Sequence, residues 1–324
     1  MKQQRFAQAL WHVNSRRSEL REEALQTAGP DELVIQSFYS LISFGTEWLV
    51  ATGRVPETLH REMSVPYMQG QFDFPVKYGY SLVGKVLEPD NLADQWVYVM
   101  HPHQDYCVVK KSDVRFIPSG VHPRRAVLFP TLETIINAIW DGQVAVGDRI
   151  LILGFGLVGS LLWQVLSRIP GVRVEVAETN PWRRQWAREH DVQLWSKTSE
   201  SGFDVGFNTT RQGEALQLGL DQLGMEGRLV ELSWYGIDPV TLHLGQTFHS
   251  QRKQIISSQV GRIPAHRRNR WDPDRRAGLV WDILQDPTLD DYLTHEIPFP
   301  DLAELFNSLR TDQKEFLTFI VHHR

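Results

Sequence analysis

The sequence predicts an α/β protein, a Rossmann doubly wound parallel sheet joined to a β-rich domain. Three observations predict it. Short β-branched segments fill the first 120 or so residues. From about residue 121 strands alternate with helical segments, the rhythm of βαβ units around a parallel sheet. Finally, "ILILGFGLVGS" sets Gly154, Gly156 and Gly159 in G-x-G-x-x-G spacing between an expected strand and an expected helix. At 324 residues the chain accommodates two domains of about 100–200 residues each. With 42% hydrophobic and 23% charged residues it can bury a sizeable core.

The first domain begins with strands. "DELVIQSFYSLIS" alternates and is β-branched, and "GYSLVGKVLE" and "DQWVYVMH" read as short strands broken by Gly, Pro, Asn and Asp. "VHPRRAVLFPTLETIINAIW" then reads as a helix. "DRILILG" is a continuous apolar run, as in a strand buried on both faces. "LVGSLLWQVLSRI" has helical spacing and ends at Pro170-Gly171, "VRVEVAE" is a second strand, and "NPWRRQWAREH" is a helix with Pro in its first turn. "FDVGFNTT", "GEALQLGLDQLG" and "GRLVELSWYG" continue the alternation. In the tail, Asp272 and Pro273 cap a helix through "RRAGLVWDILQD". "PDLAELFNSLR" is a last helix and "FLTFIVHH" a last strand. Residues 1–120, completed by 266–324, are expected to form one domain and 121–265 the Rossmann domain.

Charge and cysteine content narrow the function classes. A net charge of −5 argues against nucleic acid as partner. No stretch approaches the roughly 20 apolar residues of a membrane span, and the first residues lack the apolar segment of a signal peptide, so a cytoplasmic protein is expected. The lone Cys107 excludes an intrachain disulfide and a Cys₄ zinc lobe. In "YCVVKK" it reads as a small buried apolar residue.

The glycine motif implies dinucleotide binding. Gly154 permits a tight turn, Gly156 lets the backbone approach a pyrophosphate, and Gly159 allows close helix–strand packing. The helix N-terminus offers N–H groups to phosphate. Glu178 ends the next strand, where a carboxylate accepts ribose hydroxyls of NAD and repels the extra phosphate of NADP. Arg183 and Arg184 follow within a turn and keep NADP as the alternative.

A β-rich first domain, a Rossmann domain and a returning tail together resemble the medium-chain dehydrogenase/reductase superfamily, the zinc-type alcohol dehydrogenase-like proteins. The resemblance covers nearly the whole chain and implies a GroES-like catalytic domain. "YSLISFGTEW", "KYGYSLVGKV" and "AVLFPTLETIINAI" resemble the segments that carry zinc ligands in that superfamily. "SFGTE", "SSQVGRIPAHRRNRWDPDRR" and "THEIPFPDL" resemble the branch named for bacteriochlorophyllide (hydroxyethyl) dehydrogenase. At the usual ligand positions stand Phe44, Tyr80, Ser81 and Pro130. None is a thiolate, imidazole or carboxylate, whereas a catalytic zinc wants three such side chains. No metal is therefore expected.

What replaces the metal is a set of candidate catalytic residues. Thr46 stands where the superfamily has a hydroxyl in its proton relay, and Tyr80 stands at the usual His position, with Glu47 and Glu133 flanking the region. Each also has a structural reading: a turn hydroxyl, a packed aromatic, a backbone partner and an exposed helix residue. The expected cofactor contacts are Thr134, Gly154, Gly156, Leu157, Val158, Gly159, Glu178, Asn180, Arg183, Asn208, Thr209, Ser233, Trp234, Tyr235 and Gln259. Phe44 with Trp234 and Tyr235 suggests an apolar pocket for a flat substrate. Arg268 and Arg270, in a basic stretch from Arg262 to Arg276, suggest an anion clamp or a solvated surface. His101 and His103, two apart in "MHPHQD", are expected to be solvated or structural.

The resemblance implies an NAD(P)-dependent, zinc-independent oxidoreductase acting on an alcohol/ketone pair of a large or cyclic, anionic small molecule, with a homodimer common in the family. A zinc-free enone or quinone reductase and a non-catalytic dinucleotide-binding protein remain open alternatives.

Overall fold

The computed structural model describes residues 4–310 and 315–324. They fall into two compact units. One lies within Met1–Pro130, Trp281–Lys314 and Thr318–Arg324; the other comprises Thr131–Val280 and Glu315–Leu317. These divisions come 10 and 15 residues after the expected ones at 120 and 265, because both fall inside helices rather than in loops.

The first unit opens with β1 (Phe6–Asn14), β2 (Arg17–Ala24) and β3 (Glu32–Leu41), followed by helix α1 (Phe44–Ala51). Then come β4 (Gln69–Gly70), β5 (Val76–Lys77), β6 (Leu82–Glu88), β7 (Trp96–Val99), β8 (Tyr106–Lys110) and β9 (Val114–Phe116). The expected helix from 121 is broken. Pro123–Leu128 is a 3₁₀ segment, and α2 runs Phe129–Asp141.

The second unit alternates as expected: β10 (Arg149–Leu153), α3 (Leu157–Leu166), β11 (Arg173–Ala177), α4 (Pro181–Glu189), β12 (Phe203–Asn208), α5 (Gly213–Gln222) and β13 (Leu223–Glu231). Short α6 (Thr247–Ser250), β14 (Gln254–Ser257) and α7 (Pro273–Leu284) follow. The chain returns to the first unit with β15 (His295–Pro298), α8 (Leu302–Ser308) and β16 (Phe319–His322).

Among the described residues the second unit's sheet runs β11-β10-β12-β13-β14, every pair parallel. A parallel bridge from Val176 to Leu194 extends it beyond β11. The order reverses between β10 and β12, the switch point at which ligands bind in such sheets. Leu151, Leu153, Phe203, Leu220 and Leu229 pack beside it, so the strands read as unbroken apolar runs. The caps form as the sequence implies: Asn180 Oδ1 accepts from Arg183 N at 3.0 Å, and Asp272 Oδ1 from Arg275 N at 2.7 Å.

In the first unit β15-β16-β3-β6-β7-β9 form a mixed sheet with β8 also on β3, and β2-β1-β5-β4 form a second sheet. Cys107 is buried among Leu33, Ile35, Leu82 and Val97, and burial pushes its thiol up to about 12, so it acts as an apolar residue. A second cluster, Leu10, Ile42, Phe299, Leu302, Phe306 and Val321, packs α8 and β16 onto β1.

Among the histidines held inside this unit are His12, His101 and His323. His12 Nδ1 lies 2.7 Å from Ser18 Oγ, with its ring edge-on to Phe306. His101 Nδ1 donates to the Pro102 carbonyl at 2.9 Å. His323 stacks on Phe299. Burial drives His12 and His101 down to about 3 and His323 well below 6.5, so all three stay neutral in the fold. The unfolded chain protonates them below 6.5, binding more protons than the native state, so stability falls as pH drops through that value. His12 and His101 alone should remove about 3 kcal/mol between pH 7.5 and 5.5. Urea unfolding at pH 7.5 and 5.5 measures this, and His12→Asn should flatten the dependence by roughly a third. A midpoint that does not fall on acidification contradicts it.

Candidate active site

The site residues form two groups, one in each unit. In the second unit the glycine loop joins β10 to α3. Gly154 has φ +90°, a left-handed conformation that suits glycine. A Cβ on Gly159 would lie 2.1 Å from the Gly154 carbonyl oxygen, so helix and strand touch through it. Gly156 is different. A Cβ there would meet only the Arg183 guanidinium, at 3.7 Å, so packing within the protein does not demand glycine. The α3 ladder starts with Ser160 N on Gly156 O, leaving the amides of Leu157, Val158 and Gly159 ahead of it. Open backbone at 156 and a helix start fit a pyrophosphate.

Glu178 braces this loop. Its Oε2 accepts from Phe155 N at 2.7 Å, and its Oε1 from Thr179 N at 2.7 Å and Asn180 N at 2.8 Å. Arg183 Nη1 stands 3.9 Å from the carboxylate, and Arg184 donates to the Glu178 carbonyl. Beside them is a cavity of about 640 Å³ lined by Gly154, Glu178, Thr179, Arg184, Trp195 and Lys197. Its place at the C-terminal ends of β10 and β11 suits the adenosine half of a dinucleotide.

The expected contacts farther along are drawn inward. Thr209 Oγ1 donates to the carbonyls of Leu153 and Gly154. Asn208, fully buried, donates from Nδ2 to Glu231 Oε2 at 2.8 Å and to Tyr235 Oη at 3.0 Å, while its Oδ1 accepts from Thr210. Tyr235 in turn donates to Glu231, and Glu231 Oε1 accepts from Ser233 N at 2.7 Å. Burial raises the Glu231 carboxyl, and burial plus that carboxylate raise the Tyr235 phenol. Glu231 escaped the sequence reading, although an acid at the C-terminal end of a parallel strand was the available signal. Trp234 is partly buried.

Gln259 accepts from Gly261 N and, through its carbonyl, from Asn137. Glu133, on α2 with Thr134, pairs with Arg276 at 3.2 Å. That arginine also donates to Asn137 and to the Val260 carbonyl. Arg268 Nε donates to Ile263 O at 2.7 Å, and Arg268 lines a cavity of about 410 Å³ with Trp271 and Arg276. Arg270 is exposed, and its carbonyl accepts from Arg275.

In the first unit the candidates Thr46, Glu47 and Tyr80 converge. Ser43 precedes α1, and Thr46 and Glu47 lie in its first turn. Tyr80 precedes β6 and donates to Ser43 Oγ, while the Thr46 side chain also bonds the phenol. Burial and the Glu47 charge push Tyr80 up to about 12, against the smaller opposing influence of the two hydroxyls. Glu47 is buried, 1% exposed, with Oε1 accepting from Ser43 N at 2.7 Å and Oε2 2.8 Å from His103 Nε2. His103 Nδ1 meets Ser40 Oγ at 2.8 Å, and Ser40 Oγ meets His323 Nε2 at 2.9 Å. His101 and His103 lie in the segment after β7, and both are buried, as the structural reading of them has it. Ser40, Ser43 and His323 had no local sequence signal at all.

At the other superfamily ligand positions, Phe44 packs against the cluster containing Ile42, Ser81 Oγ donates to Val127 O at 2.6 Å, and Pro130 opens α2. Among the described residues no group of three or more His, Cys, Asp or Glu is arranged to hold a metal.

No protein-family model matches the chain. It is 22% identical over 228 residues to the D-guloside 3-dehydrogenase of Escherichia coli K12, covering 66% of this chain and 63% of that one, less than two thirds of the relative. It is 24% identical over 306 residues to the 2-desacetyl-2-hydroxyethyl bacteriochlorophyllide A dehydrogenase of Rhodobacter capsulatus, covering 89% of each. Among solved structures it resembles 2R,3R-butanediol dehydrogenase from Bacillus subtilis, with a TM-score of 0.76 at 16% identity over 99% of this chain and 100% of that one. It also resembles acetophenone reductase from Geotrichum candidum in complex with NAD, with a TM-score of 0.76 at 17% identity over 99% and 98%. These relatives are zinc-type alcohol dehydrogenase-like medium-chain dehydrogenases, as the sequence resemblance implies, and the fold is theirs.

The glycine geometry separates packing from binding. Gly159→Ala should cost about 1–3 kcal/mol of stability through overpacking. Gly156→Ala should leave stability within about 0.5 kcal/mol yet weaken dinucleotide binding at least tenfold. Denaturant unfolding and NADH fluorescence titration check both, and equal behaviour of the two variants would contradict the assignment.

Proposed function

We propose that the chain is a zinc-independent, NAD-dependent oxidoreductase that interconverts an alcohol and a ketone on a large or cyclic, anionic small molecule. The observation that carries this reading is the Tyr80 phenol, held by Ser43 and Thr46 at the position where the superfamily places a zinc-ligating histidine. Phe44 and Pro130 offer no donor atom for a metal, and Ser81 is engaged with Val127.

Bound nicotinamide dinucleotide supplies or accepts the hydride. The residues present fit it: the Gly154–Gly159 loop and the start of α3 would hold its phosphates, and Glu178, which lines the adjoining cavity with Arg183 3.9 Å away, would take its ribose. In the reductive direction the carbonyl oxygen gains electron density as its carbon gains hydride, and Tyr80 Oη gives that oxygen its proton. Ser43 and Thr46 then stabilise the phenolate until solvent returns a proton. The Glu47 charge keeps the proton on Tyr80 beforehand, so the residue is a donor at neutral pH. Arg268 supports the anionic part of the reading. The β14 edge strand, with Ile255 exposed, supports a homodimer.

A zinc-free enone or quinone reductase is the second reading, favoured by an oxygen site built of hydroxyls alone, since conjugate reduction needs less polarisation of the oxygen. Product analysis separates the two by a change at C–O or at C=C. Tyr80→Phe should lower turnover at least tenfold with NADH affinity unchanged. Reductive turnover should persist through pH 10 and fall only near 12, where Tyr80 ionises. NADH should bind at least tenfold tighter than NADPH, and Glu178→Ala should narrow the gap. Undiminished turnover in Tyr80→Phe would remove the phenol from the mechanism. NADH binding without turnover across alcohols, ketones and enones would support a non-catalytic role.

A further inference from the structure

We propose that His103 is a positioning residue for this site, holding Glu47 from beneath so that Ser43 and Thr46 keep their hydroxyls on Tyr80. The proposal rests on the reading of Tyr80 as the proton donor. It extends that reading to a residue that touches neither substrate nor cofactor.

The bonds form one polarised chain. Ser43 N–H can only donate, so it donates to Glu47 Oε1. The second carboxylate oxygen accepts from His103 Nε2–H. On the far side of the ring, His103 Nδ1 is hydrogen-bonded to Ser40 Oγ at 2.8 Å, and Ser40 Oγ to His323 Nε2 at 2.9 Å. The four contacts link Ser43, Glu47, His103, Ser40 and His323 without a break.

The participants come from separate elements. Ser40 sits on β3, Ser43 and Glu47 at the start of α1, His103 after β7 and His323 after β16. His103 and Glu47 are each 1% exposed. A carboxylate so deep is tolerated only while both oxygens have partners. The titratable groups facing the pair are Tyr78 and Tyr80 on the Glu47 side and His12, His101 and His323 around His103, with Arg310 facing His12.

Losing the imidazole leaves Glu47 Oε2 unpartnered, so the carboxylate swings away or takes up a proton. Either change removes the negative charge beside Tyr80. That charge acts on the phenol more strongly than the Ser43 or the Thr46 hydroxyl does singly, so its removal makes the phenol easier to ionise.

The test is tyrosinate ultraviolet absorbance after a rapid alkaline pH jump, with each variant read against the same variant carrying Tyr80→Phe. His103→Leu should lower the Tyr80 midpoint from about 12 by about half a unit or more, while burial, the larger influence, keeps it above 10. His103→Gln, whose amide can still donate to Glu47, should restore it. Glu47→Gln should lower it by a similar amount, and His103→Leu with Glu47→Gln should add nothing further, because the two act through one another. Should His103→Leu fail to fold cooperatively, His103→Asn, whose shorter amide stops short of Glu47, takes its place in the cycle. An unmoved midpoint, or additive shifts, overturns the proposal. The titration needs no substrate, so it fails or succeeds independently of the Tyr80→Phe turnover that tests the underlying reading.

Discussion

A carboxylate removed from water must be matched on both oxygens, and that constraint shapes both groups of site residues. Glu47 satisfies it with the Ser43 amide and the His103 imidazole. Glu178 satisfies it with three backbone amides of its own loop and the glycine loop. Glu231 uses the Ser233 amide, Asn208 and Tyr235. In each case an acid, buried for Glu47 and Glu178 and half-buried for Glu231, bonds the main chain just where a strand or turn hands over to the next element. Backbone geometry at the site is therefore held by charge-assisted bonds rather than by packing alone.

The consequence for chemistry is a division of labour. A metal would polarise an oxygen through its own charge. On the proposed reading the same position holds neutral hydroxyls, and the charge that bears on Tyr80 is the negative one of Glu47. On that reading the site gives a proton to the substrate oxygen rather than stabilising a naked alkoxide.

Much of the fold was legible because it is local. The apolar runs of β10 and β12, the Asn180 and Asp272 caps and the three glycines all encode their conformation within a few residues. The β1–β2 hairpin was less so. It pairs Phe6 through Asn14 with Arg17 through Ala24, but charged residues such as Arg21 and Glu23 hide its alternation. The expected helix from 121 split because Pro123 starts a tighter 3₁₀ turn before α2. At the candidate site the convergence of Thr46, Glu47 and Tyr80 could be guessed from the family's motifs. The supports could not, since Glu47 and His103 lie 56 residues apart and Ser40 and His323 lie 283 apart. No spacing rule reaches across such distances.

The place of β16 has a meaning for synthesis on the ribosome. This strand sits inside the first unit's mixed sheet, between β15 and β3, and the residue after it closes the bond to Ser40. The amino-terminal 130 residues emerge first yet cannot complete their sheet until residue 323 has left the exit tunnel. The contiguous stretch from 131 to 280 carries all five strands of its own sheet and can fold as it appears. Nascent chains would thus hold a finished nucleotide fold beside an open β-sheet, and that exposed edge is the surface a chaperone would have to guard.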